Sequence, residues 1–199
     1  MNTSMPIPAI ILAAGASRRL GLPKQLVEFR GETLLGRAIR LALEAGAAPV
    51  LVVLGAQAET IRAQLDSHPD VVLVQNHEWQ EGIAASIRAG LRAADAQAQN
   101  ASGVLVMGCD QPRLTSEHLR LVLQTFQQNE NAVIVASTYA GIRGVPAVFP
   151  RSVLPLLEAL EGDSGARRIL MQAACTVFEI AFEGGEIDID LPSDLRQLE

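Results

Sequence analysis

The chain has 199 residues, with 16 basic side chains against 22 acidic ones, a formal net charge of −6, and a hydrophobic content of 49%. A mean hydropathy of +0.23 excludes general disorder, and the acidic balance argues against a broad electrostatic grip on nucleic acid or an anionic membrane. All of the basic residues are arginine except one, Lys24. The two cysteines, Cys109 and Cys175, make neither a disulfide scaffold nor a zinc knuckle. The first residues lack the basic stretch of a secretory signal, and no apolar run approaches the ~20 residues of a membrane span. A soluble cytoplasmic protein is expected.

In chain order, Ile7–Ala13 reads as a strand too continuously apolar to be half exposed. Thr33–Ala45 then reads as a helix with Gly46 at its C-terminal cap. Pro49–Leu54 reads as a strand, Ala58–Leu65 as a helix, Val71–Gln75 as a strand and Ile83–Ala96 as a helix. Val104–Met107, Ser116–Gln127 with Ser116 as N-cap, and Ala132–Ala136 continue the alternation. Such a rhythm predicts an α/β fold, with right-handed crossovers and a mostly parallel sheet covered by helices on both faces. Beyond residue 138, Gly141, Gly144, Pro146, Pro150, Pro155, Gly162 and Gly165 break the pattern into short pieces, before a last strand at Thr176–Phe182. No linker-like tract intervenes, so one domain spanning 1–199 is expected.

Ligands of open parallel sheets bind at the carboxyl ends of the strands, and three segments fall there. The first runs Leu12-Ala13-Ala14-Gly15-Ala16-Ser17-Arg18-Arg19-Leu20-Gly21-Leu22-Pro23-Lys24. Small residues after a buried strand let backbone N–H groups approach an anion, and two arginines and the lysine add cationic donors, which suits a polyphosphate. The spacing is neither a P-loop nor a dinucleotide fingerprint. A plain strand-to-helix turn with solvated arginines fits the composition equally well. The second segment, Gly108-Cys109-Asp110-Gln111-Pro112, offers Asp110 as a magnesium ligand or as an ordinary turn residue. Cys109 reads as a small buried apolar group. The third, Gly184 to Asp194, belongs to a stretch from Glu179 to Glu199 with seven acidic residues and one basic residue, Arg196. If extended, it points Asp188 and Asp190 to one side and Ile187 and Ile189 to the other. A second metal ligand facing Asp110 and a solvated acidic loop that caps a final helix are both open at this point.

Together these segments resemble the MobA-like nucleotidyltransferases, most of all their molybdenum cofactor cytidylyltransferase branch. The pattern L-A-[AG]-G-x-S-x-R-x-G-x-x-K matches Leu12 through Lys24, placing its arginine at Arg19 and its lysine at Lys24, with Arg18 on a variable position. Further matches are Asn76-x-x-Trp79-x-x-Gly82 with Ser86 and Gly90-Leu91, Asp110-Gln111-Pro112, Gly144-x-Pro146, Gly162-Asp163-x-Gly165-Ala166-Arg167, and Asp188-Ile189-Asp190 before Pro192-x-Asp194. Leu191 departs from the family's usual threonine, which bears on local capping.

The resemblance implies a Rossmann-like nucleotidyltransferase fold, with a nucleotide-binding part at about 5–137 and an acceptor-facing part at about 138–199. It implies transfer of CMP from CTP to the terminal phosphate of a molybdenum-bearing pterin, with pyrophosphate released and Mg²⁺ required. In that scheme Arg19, Lys24 and Asp110 are catalytic. Leu12, Ala13, Ala14, Gly15, Lys24, Gly82, Ser86 and Asp110 bind the nucleotide, and Asp110 and Asp190 hold the metal. Gly144, Pro146, Asp163 and Arg167 face the acceptor, with Arg168 beside Arg167 as an alternative phosphate contact. Trp79 either walls the pocket or packs under the Gly82 loop. Transient contact with a molybdoenzyme is a further implied partner. Guanylyl transfer, another phosphorylated acceptor, and a non-catalytic nucleotide-binding accessory for a molybdenum enzyme remain as alternatives.

Overall fold

The computed structural model describes residues 6–172 and 176–198. Its strands are β1 (Ala9–Ala13), β2 (Glu28–Phe29), β3 (Glu32–Thr33), β4 (Val50–Leu54), β5 (Val71–Gln75), β6 (Gly103–Gly108), β7 (Ile134–Tyr139), β8 (Ile142–Pro150) and β9 (Val177–Ala181). Its α-helices are α1 (Leu34–Glu44), α2 (Ala58–Arg62), α3 (Ile83–Gln97), α4 (Ser116–Gln128), α5 (Leu154–Glu158) and α6 (Arg167–Gln172). Seven strands form one sheet in the order β5-β4-β1-β6-β8-β7-β9, and β2 and β3 make a separate hairpin. Only β8 runs antiparallel to its neighbours in the seven-stranded sheet.

The continuous apolar character of the central strands has a direct physical cause. Ala9, Ile11 and Ala13 of β1 pack with α1, α2 and α4 on one face, while Ile10 packs with α3 on the other. β4 divides in the same way, Val50, Val52 and Leu54 against Leu51 and Val53. With both faces dry, neither set of alternating positions can be polar. The chain leaves β1 toward β4 and β5, then returns through α3 to β6 on the opposite side of β1. The loops after β1 and β6 therefore diverge and leave a crevice at the carboxyl ends of the strands.

Three sequence expectations are corrected. The N-cap of α4 is Thr115, whose side chain accepts from the His118 N–H; Ser116 is the first helical residue. The helix expected at 58–65 ends at Arg62. The Gly- and Pro-broken stretch after residue 138 contains the nine-residue β8, which inserts between β6 and β7. Proline argues against a central strand because it donates no ladder hydrogen bond. Here Pro146 sits where the β7–β8 register shifts, and Pro150 ends the strand, so neither breaks a regular ladder. Cys175 lies outside the described residues. No helix among the described residues is long and apolar enough to cross a membrane.

Because Thr115 and not Ser116 satisfies an orphan N–H of α4, Thr115→Ala should cost about 1 kcal/mol of stability. Ser116→Ala should leave the urea midpoint closer to wild type.

Candidate active site

A cleft of about 1080 Å³ opens at the carboxyl ends of β1 and β6. Leu12, Gly108 and Asp110 line it from the strand ends, and Ala14 to Arg19 from the loop after β1. Trp79, Gly82, Ile83 and Ser86 form the wall at the start of α3, and Tyr139, Val145, Gly185 and Asp188 line it from the chain beyond residue 138.

Lys24 lies at the centre of this arrangement. Its Nζ donates to Asp110 Oδ2 at 2.5 Å and to Asp190 Oδ1 at 2.8 Å. Arg19 donates to the other oxygen of Asp190 at 2.8 Å. Burial alone would lower the Lys24 pKa, but the two carboxylates more than reverse that and hold it above the ordinary lysine value. The hydrogen bond from Lys24 correspondingly holds Asp190 below the usual carboxylate range, against the opposing effect of its burial. Asp188 moves the other way, raised by burial and by repulsion from Asp110 and Asp190.

Local structure explains why these groups meet. Asp110 follows β6, and its Oδ1 lies 2.6 Å from where a Cβ on Gly108 would be. Any side chain at 108 would collide with the carboxylate. Ile189 is fully buried with Leu20, Val27, Phe29 and Leu34, and its N–H donates to the Asp110 carbonyl at 3.1 Å. That bond ties the Asp190 segment to the end of β6. Asp188 is exposed, Ile189 buried and Asp190 partly buried, the alternation expected of an extended stretch. Asp194 accepts from the N–H groups of Asp190 and Leu191 at 3.1 and 2.7 Å. It thereby supplies the local cap that the threonine-to-leucine departure at 191 had placed in question.

On the opposite wall, Gly82 has a φ of +111° and sits against the Gly162 carbonyl, with Asp163 Oδ1 2.7 Å from an added Cβ. The Gly162 carbonyl also accepts from the Ala84 N–H at the start of α3. Asn76 Oδ1 accepts from the Glu78 N–H, which fixes the amide so that its Nδ2 donates to Ser86 Oγ at 3.1 Å. The Ser86 oxygen is engaged, so its proton is the group left to offer a ligand.

Most of the residues singled out from the sequence share this cleft: Leu12, Ala14, Gly15, Arg19, Lys24, Gly82, Ser86, Asp110, Asp163 and Arg167 all line it. Arg18, assigned to a variable position, lines it too, as does Trp79. Asp190 joins through Lys24 and Arg19. Three residues lie behind the wall instead. Ala13 is in the core, with its carbonyl taken by Gln25. Gly144 and Pro146 are buried on either side of Val145, which is the one of the three that lines the cleft. The Val145 carbonyl accepts from Gln111 and Tyr139, and the Pro146 carbonyl from Ser137. Sequence reasoning missed Gln25 and Tyr139, for a glutamine inside a polar loop and a tyrosine at a strand end carry no pattern that marks them. Cys109 is buried, and burial followed by the Asp110 charge pushes its thiol up to about 12, which keeps it unreactive at neutral pH.

The donor set suits a hard divalent cation. Asp110 and Asp190 present carboxylate oxygens, and the Lys24 ammonium already stands between them as a cation. Among the described residues no three His, Cys, Asp or Glu side chains form a ready-made metal cage. A pair of carboxylates is a donor set for a divalent cation that completes its shell with phosphate and water.

A family model described as the MobA-like NTP transferase domain matches residues 9–176. The chain belongs to this family. It is a nucleotidyltransferase with an α/β fold. It is 33% identical to the nicotine blue oxidoreductase of Paenarthrobacter nicotinovorans, over 99% of this chain and 98% of that one. It is also 31% identical to a probable molybdenum cofactor guanylyltransferase of Opitutus terrae, over 74% of this chain and 68% of that one. Among solved structures, Rv0371c from Mycobacterium tuberculosis superposes with a TM-score of 0.81 at 32% identity, each chain covered to 98%. The same protein has been solved in complex with manganese, and that structure superposes at 0.77. Members of the family typically use a divalent metal.

The opposite shifts of the aspartates have opposite consequences for stability. Asp190 is depressed in the folded state, so its contribution is present above the unfolded pKa of about 3.9 and is lost as pH falls through the folded value. Asp188 is raised, so the folded state is penalised progressively as pH rises from the unfolded value through the folded one, and the penalty is full above the folded value. Asp188→Asn is therefore expected to raise the melting temperature at pH 7. The gain should vanish below about pH 4, where the carboxyl is protonated in both states.

Proposed function

We propose that this chain transfers CMP from CTP to the terminal phosphate of molybdenum-bearing molybdopterin, releasing pyrophosphate, with Mg²⁺ held by Asp110 and Asp190. The observation that carries this reading is the Lys24 ammonium bridging two carboxylates beside a glycine-containing loop at the sheet's switch point. The acceptor phosphate oxygen attacks the α-phosphorus in line; the new P–O bond forms as the bond to the β-phosphate oxygen breaks. Such a displacement needs no protein nucleophile. It needs cations placed where charge accumulates on the α-phosphate and the leaving pyrophosphate.

Lys24 and Arg19 supply that charge, and to do so Lys24 exchanges a carboxylate for a phosphate. The cleft cannot neutralise a triphosphate unaided: Asp110, Asp163, Glu186 and Asp188 stand against Arg18, Arg19, Lys24 and Arg167, and Asp190 adds a further negative charge. A bound divalent cation would offset that balance and polarise the α-phosphate. Ser86 offers its proton to an acceptor on the base, and the methyl group of Ala14 narrows the space for a purine. Arg167 is the cation on the acceptor side.

The Opitutus relative is named for molybdenum cofactor chemistry, which supports a pterin acceptor but points to guanine. The Paenarthrobacter relative is named for redox chemistry, in which the Lys24 arrangement has no evident part.

Pyrophosphate release, assayed with CTP, GTP and ATP and with and without molybdopterin, separates these readings. Release that requires both CTP and molybdopterin is expected; release with GTP alone among the nucleotides would make the chain a guanylyltransferase, and none with any nucleotide would overturn molybdopterin as the acceptor. Removing one preorganised cation costs about 3–4 kcal/mol of barrier, so Lys24→Ala should lose about 10²–10³ in turnover while melting cooperatively. Lys24→Arg should also fail, because a planar fork does not replace a compact ammonium between two carboxylates. The ammonium and a metal compete for the same oxygens. Lys24→Met is thus expected to bind Mn²⁺ alone more tightly than wild type in a calorimetric titration, although it is inactive, and Asp110→Asn should lose that affinity.

A further inference from the structure

Gln25 is 1% exposed, immediately follows Lys24, and has no part in the chemistry described above. Its Nε2 donates to the carbonyl oxygens of Ala13 at 2.7 Å and Gly15 at 3.0 Å. Its own Oε1 is buried and has no partner among the described residues. An apolar side chain of similar size would fill the same space without burying an unpaired oxygen, which is unfavourable. What distinguishes glutamine at this position is therefore the pair of donated bonds.

We infer that Gln25 is a positioning residue for the nucleotide's phosphates, pinning the Ala13 and Gly15 carbonyls beneath the loop so that the following N–H groups face the cleft. The geometry is that of the peptide unit. The bonds 13–14 and 15–16 are trans, since the cis peptides are Ala48-Pro49 and Val145-Pro146. In a trans peptide the C=O and N–H point in opposite directions. With both carbonyls drawn to the buried amide, the N–H groups of Ala14 and Ala16 point away from it, toward the side on which Ala14, Gly15 and Ala16 line the cleft. Aligned backbone N–H groups of this kind form an anion-binding concavity.

The other end of the loop is fixed by Ser17. Its φ is +50°, its Oγ accepts from the Lys24 N–H at 3.1 Å, and its carbonyl accepts from Leu20 and Gly21. The same short turn thus aims the Lys24 ammonium into the cleft and sets the Gln25 amide under the loop.

This inference rests on the cleft's binding a nucleoside triphosphate, and a binding titration separates the two. Trp79 is the chain's only tryptophan and lines the cleft, so its fluorescence reports occupancy directly. Wild type, Gln25→Met and Gln25→Leu are titrated with CTP and, separately, with cytidine, and each is melted without ligand. Gln25→Met removes both donors at nearly constant volume. It should lower the ligand-free melting temperature, because the buried Ala13 carbonyl loses its donor, and weaken CTP by about tenfold, with cytidine unchanged. Gln25→Leu, which likewise donates nothing and places no charge in the buried site, should show the same selective loss and serves if the methionine variant does not fold. Equal CTP affinity in wild type and the variants, or an equal loss for CTP and cytidine, would overturn the positioning role. Wild type that binds no nucleoside triphosphate would instead overturn the reading on which it rests.

Discussion

One ammonium group organises the functional end of this molecule. Lys24 stands between Asp110 and Asp190, carboxylates 86 and 166 residues away in sequence, and three chain segments converge on it. Two like charges cannot share so small a volume without a cation between them. The local folds of the loop after β1, the turn after β6 and the C-terminal segment are mutually dependent for that reason. Asp188 shows what happens without such a partner: it lies near the same carboxylates and its own ionisation is made harder.

The scaffold around that contact is built mostly of uncharged interactions. The Ile189 side chain anchors the C-terminal segment in a small apolar cluster, and its N–H is tied to the Asp110 carbonyl. Gly108 leaves room for the carboxylate, and Gln25 and Ser17 hold the loop that carries Lys24. β8 supplies the remaining wall. By entering the sheet antiparallel, it brings Val145 to the cleft while Gly144 and Pro146 stay buried. These contacts hold the three segments around the Lys24 ammonium without relying on its ion pairs alone.

The excess of arginine over lysine takes on a different meaning at this site. Several of the arginines have peptide carbonyls or carboxylates as partners near the surface, such as Arg40 with Glu32 and Glu44 or Arg143 with Glu179. A guanidinium suits those exposed, forked contacts. The position between Asp110 and Asp190 is partly buried and admits two short bonds from a single nitrogen, which is the geometry of an ammonium.

Much of the fold was legible in the sequence, because the central strands must be apolar on both faces and the helices on one. The segment from Leu12 to Lys24 and the Asp110 turn could be placed at strand ends from pattern alone, and the alternation of Asp188, Ile189 and Asp190 followed from strand geometry. β8 was hidden because Gly144, Pro146 and Pro150 break a local pattern, and only pairing with β6 and β7 shows that they fall at a register shift and a strand end. Gln25 was hidden because burial of a polar side chain depends on which carbonyls the fold turns toward it. Local residue order thus determined the element types and the candidate ligands. Tertiary structure alone decided which charges meet at Lys24, because contacts across more than eighty residues are fixed by sheet order and packing and not by spacing along the chain.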